Sequence, residues 1–188
     1  MKIKYSVKNH ISRSFIYYIL AVIIVPLLCS YLIIIKNKPK ATQRFSIFSE
    51  VSYVDDGLFR QTLFDVLPED LEINLYDMDR NDNLFNTYFS SYGLNSDICL
   101  LSKTTLDKFE TIDFMDLTNT KWDLNDNYHF EDYSIGILYK DNAYFNIPDN
   151  DEQYYLLTLK KSVHLQGIKE ESKTDQVNRV WEHLLNNG

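Results

Sequence analysis

From Phe15 to Ile35 the chain runs twenty-one residues without a charged side chain. As a helix rising ~1.5 Å per residue, that stretch would reach about 31 Å, close to the hydrocarbon thickness of a bilayer. Charge divides the chain at the same place. Residues 1–44 carry eight bases and no acid, a net +8, while residues 45–188 hold the other 11 bases and all 27 acids, a net −16. The expected organisation is a basic N-terminal tail over 1–14, a single transmembrane helix over 15–35, a basic linker over 36–44 and a folded domain over 45–188. A buried helix of a soluble core rarely runs so long between two wholly basic flanks.

Details of the run agree with a retained anchor. Tyr17, Tyr18 and Tyr31 lie toward its ends, where amphipathic rings favour the headgroup zone. Pro26 is mid-span, a position membrane helices tolerate. Apolar residues continue past Cys29 with no small-residue cleavage pattern, and Leu28 stands where a lipoprotein signal needs a small residue. Four bases precede the span and four follow it, so charge alone does not orient it. A short basic N-terminus before a first span usually stays in the cytoplasm. The expectation is therefore a single-pass cell-membrane protein with its body outside, and Lys36, Lys38, Lys40 and Arg44 against anionic headgroups.

The acidic body argues against a nucleic-acid surface, which needs a basic patch. Its apolar pattern alternates strand-like and helical runs. Residues 44–52 read as a strand, and Asp55 and Asp56 then open a helix carrying Leu58, Phe59, Leu63, Phe64 and Leu67 until Pro68 ends it. Residues 71–77 alternate as a strand does. Leu84, Phe85, Tyr88, Phe89 and Tyr92 share a helical face closed by Gly93, and residues 97–102 form a short apolar run suited to a buried strand. This β-α-β-α-β order predicts an α/β fold, a mostly parallel sheet with flanking helices. Residues 133–139 and 153–160 also read as strands, residues 121–130 as loop with one short element, and residues 173–185 as a terminal helix. Ile73, Leu75, Ile98, Leu100 and Leu101 are expected in the central strands, with Phe85, Phe89 and Trp181 packed over them.

The element order and its wording over residues 45–118 and 153–186 resemble the extracytoplasmic solute-binding proteins of bacterial ABC transporters. The stretch 71–109 followed by Phe114-Met115-Asp116-Leu117-Thr118 is similar to their first lobe, most of all to the sugar and polyamine branches, with Asp79-Arg80-Asn81-Asp82 at the polar turn after the second strand. Residues 153–165 and the terminal helix resemble the closing segment of such proteins. Family members have two lobes in about twice this length, so the chain corresponds to roughly one lobe. The resemblance implies a binding or accessory module of a transporter or cell-envelope system. The alternative is a membrane-tethered structural or protein-interaction domain that has lost its ligand. Implied partners are the bilayer, an integral membrane protein or transporter component, and at most a weakly held small solute.

Parallel sheets take ligands at the carboxyl ends of their strands. A ligand site is therefore expected to use Glu50, Ser52, Tyr53, Asp79, Asn81, Ser102 and Thr104. Other chemistry finds little support. Residues 77–83 are oxygen-rich but fail the calcium-loop pattern, with Asp82 where Gly is required and Tyr88 in place of the bidentate Glu. His10, His129, His164 and His183 lack metal-ligand spacing, and Cys29 and Cys99 read as two buried, unpaired thiols. A Ser-His-Asp set assembled in space stays open, though no nucleophile-elbow glycine pattern supports one. Tyr154, Tyr155 and Trp181 fit a sugar-stacking platform less well than core positions. Neither an enzyme nor a bound cofactor or metal is expected.

Overall fold

The computed structural model describes residues 2–37, 43–78, 82–109, 113–141, 143–162, 164 and 176–186. The chain divides into two compact units, residues 1–39 and 40–188. The first is built on one helix, α1 (Lys2–Asn37), with Pro26 inside it. The described apolar side chains of α1 are exposed, from Phe15 at 63% to Ile33 at 59%. Among the described residues no helix is long and apolar enough to cross a membrane. The transmembrane helix expected over residues 15–35 is not supported at that level. Side chains are described without a break only over 17–33, so both ends of the uncharged run fall outside that stretch.

The second unit contains β1 (Arg44–Ser49), α2 (Asp56–Val66), β2 (Glu72–Asp77), α3 (Asp82–Ser91), β3 (Ile98–Ser102), the single turn α4 (Lys103–Leu106), β4 (Tyr128–Phe130), β5 (Tyr133–Tyr139), β6 (Tyr154–Thr158) and α5 (Gln176–Asn186). The fold is α/β, as expected. Six strands form one sheet in the order β2-β1-β3-β6-β5-β4. β1 runs parallel to β2 and to β3. The pairs β3·β6, β6·β5 and β5·β4 are antiparallel. The mostly parallel sheet is thus corrected to a mixed one. Parallel neighbours need a crossover, usually a helix, and α2 and α3 supply two. Among the described residues no helix lies between β4 and β5 or between β5 and β6. There the chain doubles back, first over the two residues between Phe130 and Tyr133, where Glu131 has φ 53°.

Alternation along the strands fills both faces of the sheet. Phe45, Ile47, Ile98, Leu100, Tyr154 and Leu156 join one cluster, covered by Phe59 and Leu63 of α2 and by Val177, Val180, Trp181 and Leu184 of α5. Phe48, Cys99, Leu101, Tyr155 and Leu157 join the other, with Phe89 of α3, Leu106, Phe114 and Tyr128. Ile73, Ile98, Leu100 and Leu101 are buried as expected, whereas Leu75 is half-buried. Phe89 and Trp181 both pack on the sheet, but on opposite faces, and Phe85 is half-buried beside Phe89. Tyr154, Tyr155 and Trp181 are core residues, exposed by 5% or less.

Both parallel-half helices bury a narrower stripe than the sequence pattern implies. In α2 Phe59 and Leu63, one turn apart, face the sheet, while Leu58 and Phe64 are 58% and 45% exposed. Neighbouring positions on a helix diverge by about 100°, so i, i+1 pairs cannot both point inward at a single sheet contact. Asp55 caps α2 as expected, accepting a hydrogen bond from the Leu58 N–H at 2.9 Å. Gly93 does not cap a helix in the left-handed conformation, since no glycine has positive φ among the described residues. It opens a 3-10 turn (Gly93–Asn95) after α3, and its reason is steric, because Phe89 occupies the space a Cβ would need.

Candidate functional site at the carboxyl ends of the parallel strands

β1 is flanked by β2 on one side and β3 on the other. The chain leaves β1 toward β2, whereas the strands that follow β3 lie on its far side, so the direction of winding reverses between β1 and β3. In open α/β sheets such a point of reversal is where ligands enter, beyond the strand ends. At this place Glu50 follows β1 and Ser102 ends β3. The structure brings them together. Glu50 is 6% exposed, and its Oε2 accepts the Ser102 N–H at 2.7 Å. Its Oε1 accepts the Thr105 hydroxyl at 2.8 Å and lies 3.0 Å from Ser102 Oγ. Ser102 Oγ in turn accepts the Thr105 N–H at 3.2 Å, capping α4. Its own proton has two acceptors in reach, Glu50 and Thr105, and the carboxylate is the stronger.

The remaining expected residues take different parts. Ser52 is half-buried, and its Oγ accepts from Asn146 Nδ2 at 3.0 Å while its carbonyl accepts the Asn146 N–H at 2.9 Å. Tyr53 does not line a site. It is 6% exposed, stacked on Phe59 at 5.5 Å, and its hydroxyl donates into the carbonyls of Ile47 and Tyr76 at 3.2 and 3.3 Å. Burial, with Asp77 and Asp56 nearby, holds its phenol well above the ordinary value. Thr104 is exposed, and its N–H and hydroxyl both donate to the Glu152 carboxylate at 2.8 Å. Asp79 and Asn81 lie outside the described residues.

Three participants were missed in the sequence. Thr105 follows Ser102 by three positions, a spacing that matches a helix cap and was available to read. Glu152 and Asn146 come from the distant β5–β6 connection, and nothing local announces them. The result is a face on which Glu50, Ser52, Ser102, Thr104 and Thr105 are each bonded to another part of the chain. A carboxylate that accepts from several protein donors holds its charge in place but offers little to an incoming ligand.

A second polar cluster lies at the other end of β3. Asp97 is 7% exposed and accepts the Ser46 N–H at 2.8 Å and the Ser162 hydroxyl at 2.5 Å. His164 is 4% exposed, with Nε2 2.6 Å from the Arg44 carbonyl. Serine, histidine and aspartate do meet here, but not in order for nucleophilic catalysis. Ser162 gives its proton to Asp97 rather than to His164, whose Nε2 donates to a backbone carbonyl. Burial pushes the Asp97 carboxyl above its ordinary value, opposed by the bonds from Ser162 and Ser46 and by His164. Cys99 is fully buried and its thiol is pushed far up by burial, while Cys29 on α1 is exposed, and both are free. Among the described residues no group of three or more side chains is disposed to hold a metal ion. A comparison with protein-family models, curated proteins and solved structures finds no match to the chain.

Proposed function

We propose that the chain is a membrane-tethered accessory module of a transporter or cell-envelope system. Its α/β body resembles one lobe of a solute-binding protein and works chiefly through a protein partner. The observation that carries this reading is the Glu50 carboxylate, whose two oxygens are taken by donors from Ser102 and Thr105. Where a solute would need free donors and acceptors, the body has closed its own hydrogen bonds. A single lobe also leaves any solute half in water, where each polar contact competes with solvent. Solute affinity is expected in the high micromolar range or weaker.

The uncharged run 15–35 supports tethering, as does the all-round exposure of the described apolar side chains of α1. The order β1-α2-β2-α3-β3 supports the resemblance. The closed strand ends equally favour the second reading, a tethered interaction domain with no remaining solute role. A photo-reactive residue in place of exposed Lys103, in living cells, tests the partner. A discrete protein adduct is expected. No adduct, together with sub-micromolar binding of maltose or spermidine at the strand ends, would contradict the reading.

A further inference from the structure

We propose that the outer edge of β2 docks an extended, basic segment of a partner protein, which joins the sheet as a further strand. This deepens the partner reading above and rests on it, adding where the partner sits and what its chemistry is. β2 ends the order of the described strands, with β1 on its inner side only. Hydrogen bonds around β1 fix which way the β2 backbone points. The Ser49 carbonyl accepts the Met78 N–H at 3.0 Å, while the Ser46 carbonyl turns the other way, to the Asp97 N–H at 2.8 Å. Successive residues of a strand aim their backbone groups to opposite sides. Met78, Tyr76 and Asn74 therefore face β1, and Ile73, Leu75 and Asp77 face outward.

One end of this edge is already covered. Arg60 of α2 donates to the Ile73 carbonyl and so occupies its start. Beyond it, the N–H and C=O groups of Leu75 and Asp77 have no partner among the described residues. Leu75 is half-buried and Asp77 is exposed, so this part of the strand is reachable from solvent. A segment laid alongside gains one donor and one acceptor from each of them. It also directs alternate side chains to the α3 face of the sheet. There Asn74 and Tyr76 line an open cleft of about 320 Å³ with Ser91, Tyr92 and Asn95, which gives those side chains room.

Charge selects the partner. Between Arg60 and Arg80 the chain carries six acids and no base. Glu69, Asp70 and Glu72 lie before the open edge and Asp77 at its end, and all four are exposed. Among the described residues only Glu72 of these has an ion pair, with Arg44 at 3.5 Å. A second copy of the chain is a poor occupant, since a two-fold pairing of β2 with itself sets acidic flank against acidic flank. Lysine or arginine on both sides of a β-forming core meets the two flanks at once. The charges supply selectivity and speed of encounter, and the backbone bonds hold the strand in register.

The test is fluorescence anisotropy of labelled peptides with the full chain in phosphatidylcholine nanodiscs. The basic peptide KTVTVK should bind saturably, at least tenfold more tightly than its acidic counterpart ETVTVE. N-methylation of its Val and Thr amides keeps the charge but blocks the ladder, and should weaken binding at least tenfold. Leu75→Pro removes an N–H that β1 does not use, a place where an edge strand tolerates proline, and should weaken KTVTVK at least tenfold. Asp77→Asn, at an exposed side chain, should weaken it severalfold. If Leu75→Pro fails to fold, the N-methylated peptide still decides. Equal affinity for KTVTVK and its N-methylated form, equal binding of ETVTVE, absence of saturation, or self-association of the chain that Leu75→Pro abolishes would each overturn the proposal. A Lys103 adduct kept at full yield in Leu75→Pro would overturn the edge and leave the partner reading standing. No adduct, with KTVTVK still bound, would remove the partner reading and keep the edge as a peptide site.

Discussion

A Cβ placed on Gly93 would stand 2.2 Å from Cδ2 of Phe89, well inside the contact distance of two carbons. Phe89 is 4% exposed and meets Phe48 edge-on at 5.6 Å and Phe85 in a stack at 5.5 Å. The ring therefore has little room to yield. Gly93→Ala should cost about 1–3 kcal/mol through this overpacking. Phe89→Ala, which empties the same space, should cost about 3–5 kcal/mol. Urea unfolding of the full chain in detergent measures both. A loss below about 1 kcal/mol for Phe89→Ala would show that α3 does not depend on this contact.

Glu50→Ala should destabilise by about 3 kcal/mol, because it leaves the Ser102 N–H and the Thr105 hydroxyl buried without their charged acceptor. Glu50→Gln keeps one acceptor and should cost about half as much. The same unfolding measurement checks the order. If Glu50→Ala were neutral, the carboxylate would not be holding α4 onto β1.

Asp97 makes stability depend on pH in a definite direction. Its folded carboxyl titrates above its ordinary value, chiefly from burial. The folded state therefore binds the proton more tightly than the unfolded state. Its contribution should be fully present below the unfolded value near 3.8 and fall as pH rises through the shifted one. Asp97→Asn keeps an acceptor for the Ser46 N–H and should flatten this slope. Unfolding free energies of both proteins from pH 3.5 to 7 give the comparison. A wild-type curve that rises relative to Asp97→Asn across that range would reverse the sign.

The β-α-β-α-β half was legible because each of its elements announces itself locally. Asp55 caps, Pro68 stops, and Ile98 to Leu101 form an unbroken apolar run. The antiparallel half was not. Which edge β6 joins depends on its pairing with β3, whose partners, such as Leu100 and Leu156, lie far apart in sequence. Glu50 and Ser102 were located by the strand-end rule, and the structure does place them together. Their occupation by each other was not legible, since it needs a contact across 52 positions. Tyr53 went astray for the same reason: its rings of contact, Phe59 and Phe145, are fixed by tertiary packing.

Tethering has its own test. Alkaline carbonate should leave the full chain in the membrane pellet, and protease added to wall-stripped cells should digest the body beyond residue 44. Release into the supernatant would remove the anchor. A protected body in intact cells would reverse its side.

The central claim, that the carboxyl ends of β1 and β3 are closed by the chain's own hydrogen bonds, is tested most directly by amide hydrogen exchange at Ser102 and Thr105. Both N–H groups are buried donors, one to Glu50 and one to Ser102. They should exchange through opening nearly as costly as global unfolding. Millimolar maltose or glucose should leave their rates unchanged. Rapid exchange at both amides, or strong protection induced by a sugar, would contradict the account.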